Sequence, residues 1–122
     1  MHELSIAMSI LELAEEESAK RGGAKVTAVH LKIGALAGVV GDALQSSWEL
    51  ACENTQLQGS RLVIENIPVK VYCPVCAAPR TLNSLQWFQC PDCKNVVSEV
   101  IQGRELDVVA MEILECVHSP GS

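Results

Sequence analysis

Two short cysteine pairs decide how this chain folds: CPVC at residues 73–76 and CPDC at residues 90–93, with thirteen residues between them. Two residues between cysteines let both sulfurs turn toward one ion, and zinc takes four protein ligands in a tetrahedral arrangement. A proline follows the first cysteine of each pair and suits a tight turn. The spacing therefore predicts one zinc site built from Cys73, Cys76, Cys90 and Cys93.

Disulfides and a redox dithiol are the two alternatives to zinc. Disulfides belong to oxidising compartments, and the acidic first twenty residues do not resemble a secretory signal. A thioredoxin-like site needs a cysteine pair at the start of a helix, and neither pair is expected to begin a helix. Zinc is favoured over both. Because the protein would supply all four ligands, no position stays open for a reacting water, and we expect the zinc to be structural.

Composition excludes several classes of protein. Of the 122 residues, 48% are hydrophobic, enough for a packed core, and the net charge of −6 argues against a nucleic-acid partner. In the cysteine region the charged side chains cancel: Arg80, Lys94, Asp92 and Glu99. We expect Trp87 and Phe88 to form the small core of that region and not a base-stacking platform. No run approaches the roughly 18 apolar residues of a membrane span, so a cytoplasmic protein is predicted.

The region before the cysteines shows alternating helix and strand patterns. The 3.6-residue period predicts a helix over 4–23 whose apolar face is anchored by Leu4, Met8 and Leu11. Alternation predicts a strand over 25–34. A second helix is predicted over 42–54 with Asp42 as its N-cap.

Two further strands complete the pattern. One is predicted over 61–72, where the alternation slips near Pro68 and suggests a bulge or an edge, and the other over 104–115. The fold class is therefore α+β: a three-stranded sheet covered by two helices, with a zinc-ribbon-like module inserted between the last two strands. The predicted domains are 1–70 together with 104–118, the zinc-binding module 71–103, and a loose tail 119–122.

The chain begins with Met1, His2 and Glu3, and this terminus offers several nitrogen ligands. Nickel(II) favours nitrogen-rich tetragonal sites. The Met1 α-amine, the His2 amide and the His2 imidazole can form small chelate rings, and Glu3 can add a backbone nitrogen or a carboxylate oxygen. The pattern is weak by itself, because early histidines are common and chain ends usually fray. A nickel site and an inert terminus both stay open at this point.

The combination of motifs resembles the HypA/HybF family. It consists of MHELSIAMSIL at 1–11, KIG at 32–34, SSWELACENT at 46–55 and the two cysteine pairs, and the resemblance covers essentially the whole chain. It implies a nickel metallochaperone for the maturation of [NiFe] hydrogenase and, in some organisms, of urease. It implies His2 as the required nickel ligand and the four cysteines as ligands of a structural zinc.

The resemblance also implies partners and a role without catalysis. Ni(II) would be transferred cargo, passed on with a nickel-handling maturation GTPase (HypB) to the hydrogenase large-subunit precursor, with urease accessory proteins as further partners. Members of the family can form homodimers. The sequence has no phosphate-binding motif G-x-x-x-x-G-K-[ST], so nucleotide hydrolysis must come from a partner, and no enzymatic activity is expected.

The remaining histidines and cysteines have simpler interpretations. His30 is expected to be solvated or at an interface, Cys52 to be a small core residue, Cys116 to be packed or partly exposed, and His118 to lie in the loose tail without a role. Two other functions fit the cysteine pairs: a zinc-ribbon interaction scaffold without cargo metal, and a thiol redox protein. Nickel binding separates the metallochaperone from the scaffold, and native thiol reactivity tests the redox alternative.

Overall fold

The computed structural model describes residues 3–82, 84–85 and 87–114. Over these residues the chain forms, in order, α1 Glu3–Lys20, β1 Lys25–Gly34, α2 Gly41–Cys52, β2 Arg61–Ile67, β3 Lys70–Cys73, β4 Ala78–Thr81, β5 Glu99–Gln102 and β6 Leu106–Leu114. The strands make two three-stranded sheets, in the orders β2-β1-β6 and β4-β3-β5. The α+β class is confirmed. Neither described helix has the length and apolarity needed to cross a membrane.

The first compact unit comprises the described parts of 1–31, 39–64 and 108–122. Helix α1 buries Ile6, Ala7, Ile10, Leu11 and Ala14, which follow the helical period. The predicted anchors Leu4 and Met8 are wrong, since these side chains are 45% and 50% exposed. The buried arc is centred one residue away from them, so only Leu11 of the predicted trio lies in the core.

The start of α2 differs from the prediction. Val40 is the N-cap residue, with extended backbone (φ −87°, ψ 115°) and no side-chain cap, and Asp42 lies within the first turn. Asp42 is therefore wrong as the N-cap. The Val40 N–H instead donates to Glu3 Oε2 at 3.4 Å, a contact across 37 residues. A carboxylate at this point is favourable because the helix N-terminus carries a partial positive charge.

The predicted strand over 61–72 is two strands in two different sheets. β2 ends at Ile67 and lies beside β1, whereas β3 begins at Lys70 and lies between β4 and β5. Pro68 separates them, and a proline cannot donate to a strand ladder. The phase slip near Pro68 thus marks the point where the chain leaves one sheet for the other, and a single continuous strand was wrong.

The second compact unit comprises residues 32–38 and 65–107. It is wider than the predicted zinc module, and the assignment of functions to domains stays a prediction. Its core contains Val69, Val71, Cys73, Leu82, Cys90 and Val97. Phe88 packs against this core, as predicted. Trp87 is 71% exposed, so the prediction that it forms part of the core is wrong.

Gly34 allows a close backbone approach inside the second unit. Its N–H donates to Glu105 O at 2.7 Å, and the Leu36 N–H donates to Gly103 O at 2.7 Å. A Cβ atom at position 34 would lie 2.1 Å from the carbonyl carbon and oxygen of Gly103. Only a hydrogen atom fits there, which is why the KIG sequence ends β1 with glycine.

We predict that Gly34→Ala lowers the free energy of unfolding by about 3 kcal/mol or more, because backbone has to move to admit the methyl group. Gly41→Ala is the matched control, since nothing lies within 4 Å of a Cβ there. Chemical denaturation of both variants measures the difference. Equal stability of the two would contradict the close approach at Gly34.

Candidate metal centre

The first cysteine pair lies in the hairpin that joins β3 to β4. Cys73 pairs with Ala78 across the two strands, so the chain reverses direction between them. Ala77, directly after Cys76, has a positive φ of 53°. The Cys76 N–H donates to Cys73 Sγ at 3.4 Å. This turn therefore brings the two sulfurs of the pair to one side and leaves a backbone donor facing them.

The second cysteine pair forms a turn of the same kind. Lys94, directly after Cys93, has a positive φ of 65° and donates its N–H to Cys90 O at 3.0 Å. The Cys90 N–H donates to Asn95 O at 2.9 Å, and Asn95 Nδ2 donates to Cys93 Sγ at 3.3 Å. In both pairs the residue after the second cysteine takes the left-handed conformation, which is uncommon for a side chain other than glycine. In each pair, this turn directs the two cysteine sulfurs toward the same point.

All four sulfur atoms lie within 4.8 Å of one another. The Cys73–Cys93 sulfur separation is 3.5 Å and the Cys76–Cys90 separation is 3.9 Å. A tetrahedral zinc with sulfurs about 2.3 Å away has sulfur–sulfur edges of about 3.8 Å. The four side chains therefore fit a zinc ion, and the predicted quartet is brought together as expected.

These distances also bear on the alternatives. A disulfide requires sulfurs about 2.05 Å apart, and all four cysteines are free. Neither pair opens a helix: the first follows β3, and residues 94–98 after the second are not helical. The structure thus gives no support to a disulfide pair or to a thioredoxin-like dithiol.

The acidity of the four thiols is unequal. The backbone N–H and side-chain amide of Asn95 lower the pKa of Cys93 to about 6, and the backbone N–H of Cys93 lowers the pKa of Cys90. A hydrogen bond with Cys93, together with burial, raises the pKa of Cys76 to about 12. Thiolates and thiols therefore coexist in the metal-free cluster. A divalent cation is what makes ionisation of all four favourable, so metal binding releases protons.

Glu3 is the one predicted nickel ligand among the described residues, since Met1 and His2 lie outside them. Glu3 is the first residue of α1, where backbone N–H groups have no acceptor within the helix. Its carboxylate accepts the hydrogen bond from Val40. The sequence contained no local signal for this contact, because the two residues are 37 positions apart.

The other candidate ligands do not join a metal cluster. Within residues 3–82, 84–85 and 87–114, the four cysteines are the one group of three or more His, Cys, Asp and Glu side chains arranged to hold an ion. His30 Nε2 lies 2.8 Å from Glu112 Oε2, and Arg61 Nη2 lies 3.3 Å from the same oxygen. Cys52 is buried, as predicted, and burial raises its pKa to about 11. Cys116 and His118 lie outside the described residues.

A cleft of about 820 Å³ runs along α2 and β2 in the first unit. Two polar side chains that line it are used by the fold, because Trp48 Nε1 donates to Ser60 O at 3.0 Å and Gln45 Nε2 donates to Leu62 O at 2.7 Å. These bonds satisfy one carbonyl group of the edge strand β2 and one of the residue directly before it. The cleft is thus lined by a structural network, and the metal chemistry of the described chain lies with the four cysteines.

The sequence matches one protein family over most of its length. The sequence model of the family described as hydrogenase/urease nickel incorporation, metallochaperone, HypA matches residues 1–113. The hydrogenase maturation factor HypA of Chloroflexus aurantiacus is 49% identical over 112 residues, which cover 92% of this chain and 98% of that protein. The protein of the same name from a Roseiflexus species is 46% identical and covers 92% and 91%.

Solved structures agree with this match. The solution structure of the Ni metallochaperone HypA from Helicobacter pylori has a TM-score of 0.61 at 27% identity, over 93% of this chain and 98% of that chain. A second solution structure, of HypA protein, has a TM-score of 0.67 at 27% identity, over 93% and 97%. The similarity thus extends from the sequence to the arrangement of helices and sheets.

We predict that Cys73→Ala abolishes zinc binding and unfolds the second compact unit. Structural zinc contributes about 10–16 kcal/mol to folding in zinc-finger peptides, so the loss of one thiolate should be severe. Elemental analysis should show zinc per chain falling from one to near zero, while circular dichroism retains the helical signal of α1 and α2. Cys52→Ala is the control and should keep one zinc. A full equivalent of zinc in Cys73→Ala would contradict the four-cysteine assignment.

Proposed function

Since the chain belongs to the HypA family of hydrogenase/urease nickel-incorporation metallochaperones, we propose that it binds Ni(II) at its amino terminus and delivers the ion during [NiFe] hydrogenase maturation. The observation that carries this proposal is the family match over residues 1–113, which includes His2 and all four cysteines. Delivery to urease is proposed on the same basis, because the family description names urease as well.

The ligand chemistry of the terminus supports nickel. The Met1 amine, the His2 amide and the His2 imidazole are nitrogen donors in small chelate rings, which suits a tetragonal Ni(II) ion. Glu3 adds its backbone nitrogen in preference to its carboxylate, because the carboxylate already accepts the Val40 N–H and the backbone N–H begins a helix. In this proposal the Glu3 backbone nitrogen binds nickel, and the Glu3 carboxylate holds the chain end to α2 through the Val40 N–H.

The four cysteines serve a second purpose in this proposal. They would hold a zinc ion that supplies folding energy to the second unit and takes no part in transfer, because no ligand position is left open. The zinc module of 71–103 and the nickel domain of 1–70 with 104–118 then divide the two metals between them. A carrier benefits from this division, since cargo must be released while the structural ion must stay.

Partners follow from the same proposal. The chain would act in the cytoplasm with a nickel-handling maturation GTPase (HypB), the hydrogenase large-subunit precursor and urease accessory proteins, and it would be able to form homodimers. The sequence lacks a phosphate-binding motif, so the GTPase supplies nucleotide hydrolysis. The chain itself acts as a carrier without enzymatic activity.

We predict that His2→Ala weakens nickel binding by at least about tenfold, which is about 1.4 kcal/mol. A Gly-Ser extension ahead of Met1 should have a comparable effect, because it converts the basic amine into an amide that gives up its proton far less readily. Isothermal titration with Ni²⁺ on zinc-loaded protein measures both.

His30→Ala is the matched control for this titration, because His30 pairs with Glu112 and should not contact nickel. If the extended chain binds as tightly as the native one while His2→Ala does not, the amine is no ligand. If neither change weakens binding, the terminus is not the nickel site, and a zinc-ribbon scaffold without cargo becomes the better description.

Nickel affinity should fall as the pH drops from about 7.5 to 6. Both nitrogen groups bind nickel only when unprotonated, and their usual pKa values are about 6.5 for histidine and 7.7–8.0 for an α-amine. Protons therefore compete with nickel increasingly as the pH falls through these values. Zinc content measured over the same window checks that the protein stays intact. An affinity that does not change with pH would point to carboxylate ligands.

A further inference from the structure

Arg80 is a partly buried charged residue of a small sheet, with 29% of its side chain exposed. The register of β3 and β4 pairs Val71 with Arg80 and Cys73 with Ala78. Directly paired residues project from the same face of a sheet. Val71 and Cys73 are fully buried, so Arg80 shares the face that carries the first metal ligand. A cation in this position requires an explanation, because burying a charge without compensation is costly.

The nearest explanation is an ion pair with Asp92. Arg80 Nε is buried and lies 2.7 Å from Asp92 Oδ2. Asp92 is the residue between Pro91 and Cys93 in the second cysteine pair, whereas Arg80 follows the first pair on β4. The Asp92 side chain, however, is 64% exposed. Water screens such a carboxylate, and an ion pair with it compensates a partly buried guanidinium only weakly.

The thiol cluster supplies the remaining negative charge near Arg80. Burial lowers the pKa of Arg80, yet Asp92 and the thiolates of Cys76 and Cys90 raise it above its ordinary value on balance. Four thiolates around one zinc ion carry a net charge of −2. The rest of the second unit is neutral, with five acidic and five basic side chains over 32–38 and 65–107. The partly buried Arg80 thus lies beside the group that would carry the strongest negative charge of its unit once zinc is bound.

We propose that Arg80 is a positioning residue of the four-cysteine centre: its guanidinium offsets the negative charge of the zinc-loaded cluster, and Asp92 orients it. The charges of Arg80 and Asp92 then have opposite effects on zinc retention. Arg80 favours the ionised thiolates that bind zinc. Asp92 fixes the guanidinium, but its own charge opposes the thiolates. If the ion pair only linked the two cysteine turns to each other, removing either residue would weaken zinc retention.

This inference rests on the zinc part of the proposed function and is tested by zinc retention in the full chain. Zinc-loaded proteins are mixed with an excess of a chromophoric chelator at constant pH, and the rate of zinc loss is followed by absorbance. Arg80→Met keeps the length of the side chain and removes the charge, so we expect zinc loss to be about tenfold faster or more. Arg80→Lys keeps the charge without the planar group and should restore part of the retention.

Asp92→Asn is the variant that separates the two roles. It keeps an oxygen near the position of Oδ2 and removes a negative charge, so zinc loss should be as slow as in the native chain or slower. Arg104→Met is the matched control, because Arg104 is an exposed arginine of the same unit. Its zinc should be lost at the native rate. If Asp92→Asn loses zinc as fast as Arg80→Met does, the proposal is wrong, and the ion pair has only a structural role.

Thermal unfolding of the zinc-loaded proteins gives a second readout that does not depend on the rate of zinc loss. Arg80→Met should lower the unfolding midpoint, whereas Asp92→Asn should leave it at the native value or above, because only Arg80 supplies positive charge beside the zinc-loaded cluster. An equal decrease of the midpoint in both variants would overturn the proposal. If the native chain holds no zinc, the zinc assignment itself fails; if native and Arg80→Met hold zinc equally, only the role of Arg80 fails.

Discussion

Four sulfur atoms within 4.8 Å of one another cannot all be ionised unless a cation lies among them, and the second compact unit is built around that constraint. Its sheet is short, with three strands of four residues each. Two of its six core residues, Cys73 and Cys90, are themselves cysteines of the cluster. Without a cation the second unit would lose part of its core, because the thiolates that repel one another are also side chains that fill the interior.

The same constraint explains features that would be unfavourable elsewhere. Ala77 and Lys94 have left-handed backbone, which costs energy for residues other than glycine, and each directly follows the second cysteine of a pair. Arg80 is partly buried although it carries a charge. Each becomes understandable once four thiolates must converge on one point and remain charged. Of the three described non-glycine residues with a positive φ, two lie at this site, and the third, Asn54, lies in the first unit.

The first compact unit depends on a different interaction. Its core is apolar, with Leu44 and Trp48 of α2 fully buried, and needs no metal to hold it together. The chain end that we propose as the nickel site begins this unit, and Glu3 accepts the Val40 N–H at the start of α2. In that proposal, a cargo ion bound beside an apolar core would be gained and lost without unfolding the unit. The cargo ion and the structural ion would then not depend on each other.

The sequence by itself determined the features that depend on residues close together in the chain. The 3.6-residue period gave α1, alternation gave β1 over its full length, and C-x-x-C spacing gave the cluster of four cysteines, because each pattern reflects local geometry. Only the tertiary structure decided that the chain changes sheets at Pro68, that Glu3 accepts the Val40 N–H, and that Arg80 pairs with Asp92. These contacts join residues distant in the chain, 37 positions apart for Glu3 and Val40. No local pattern encodes them, because they arise only when separate elements pack and bury each other's unsatisfied charges and N–H groups.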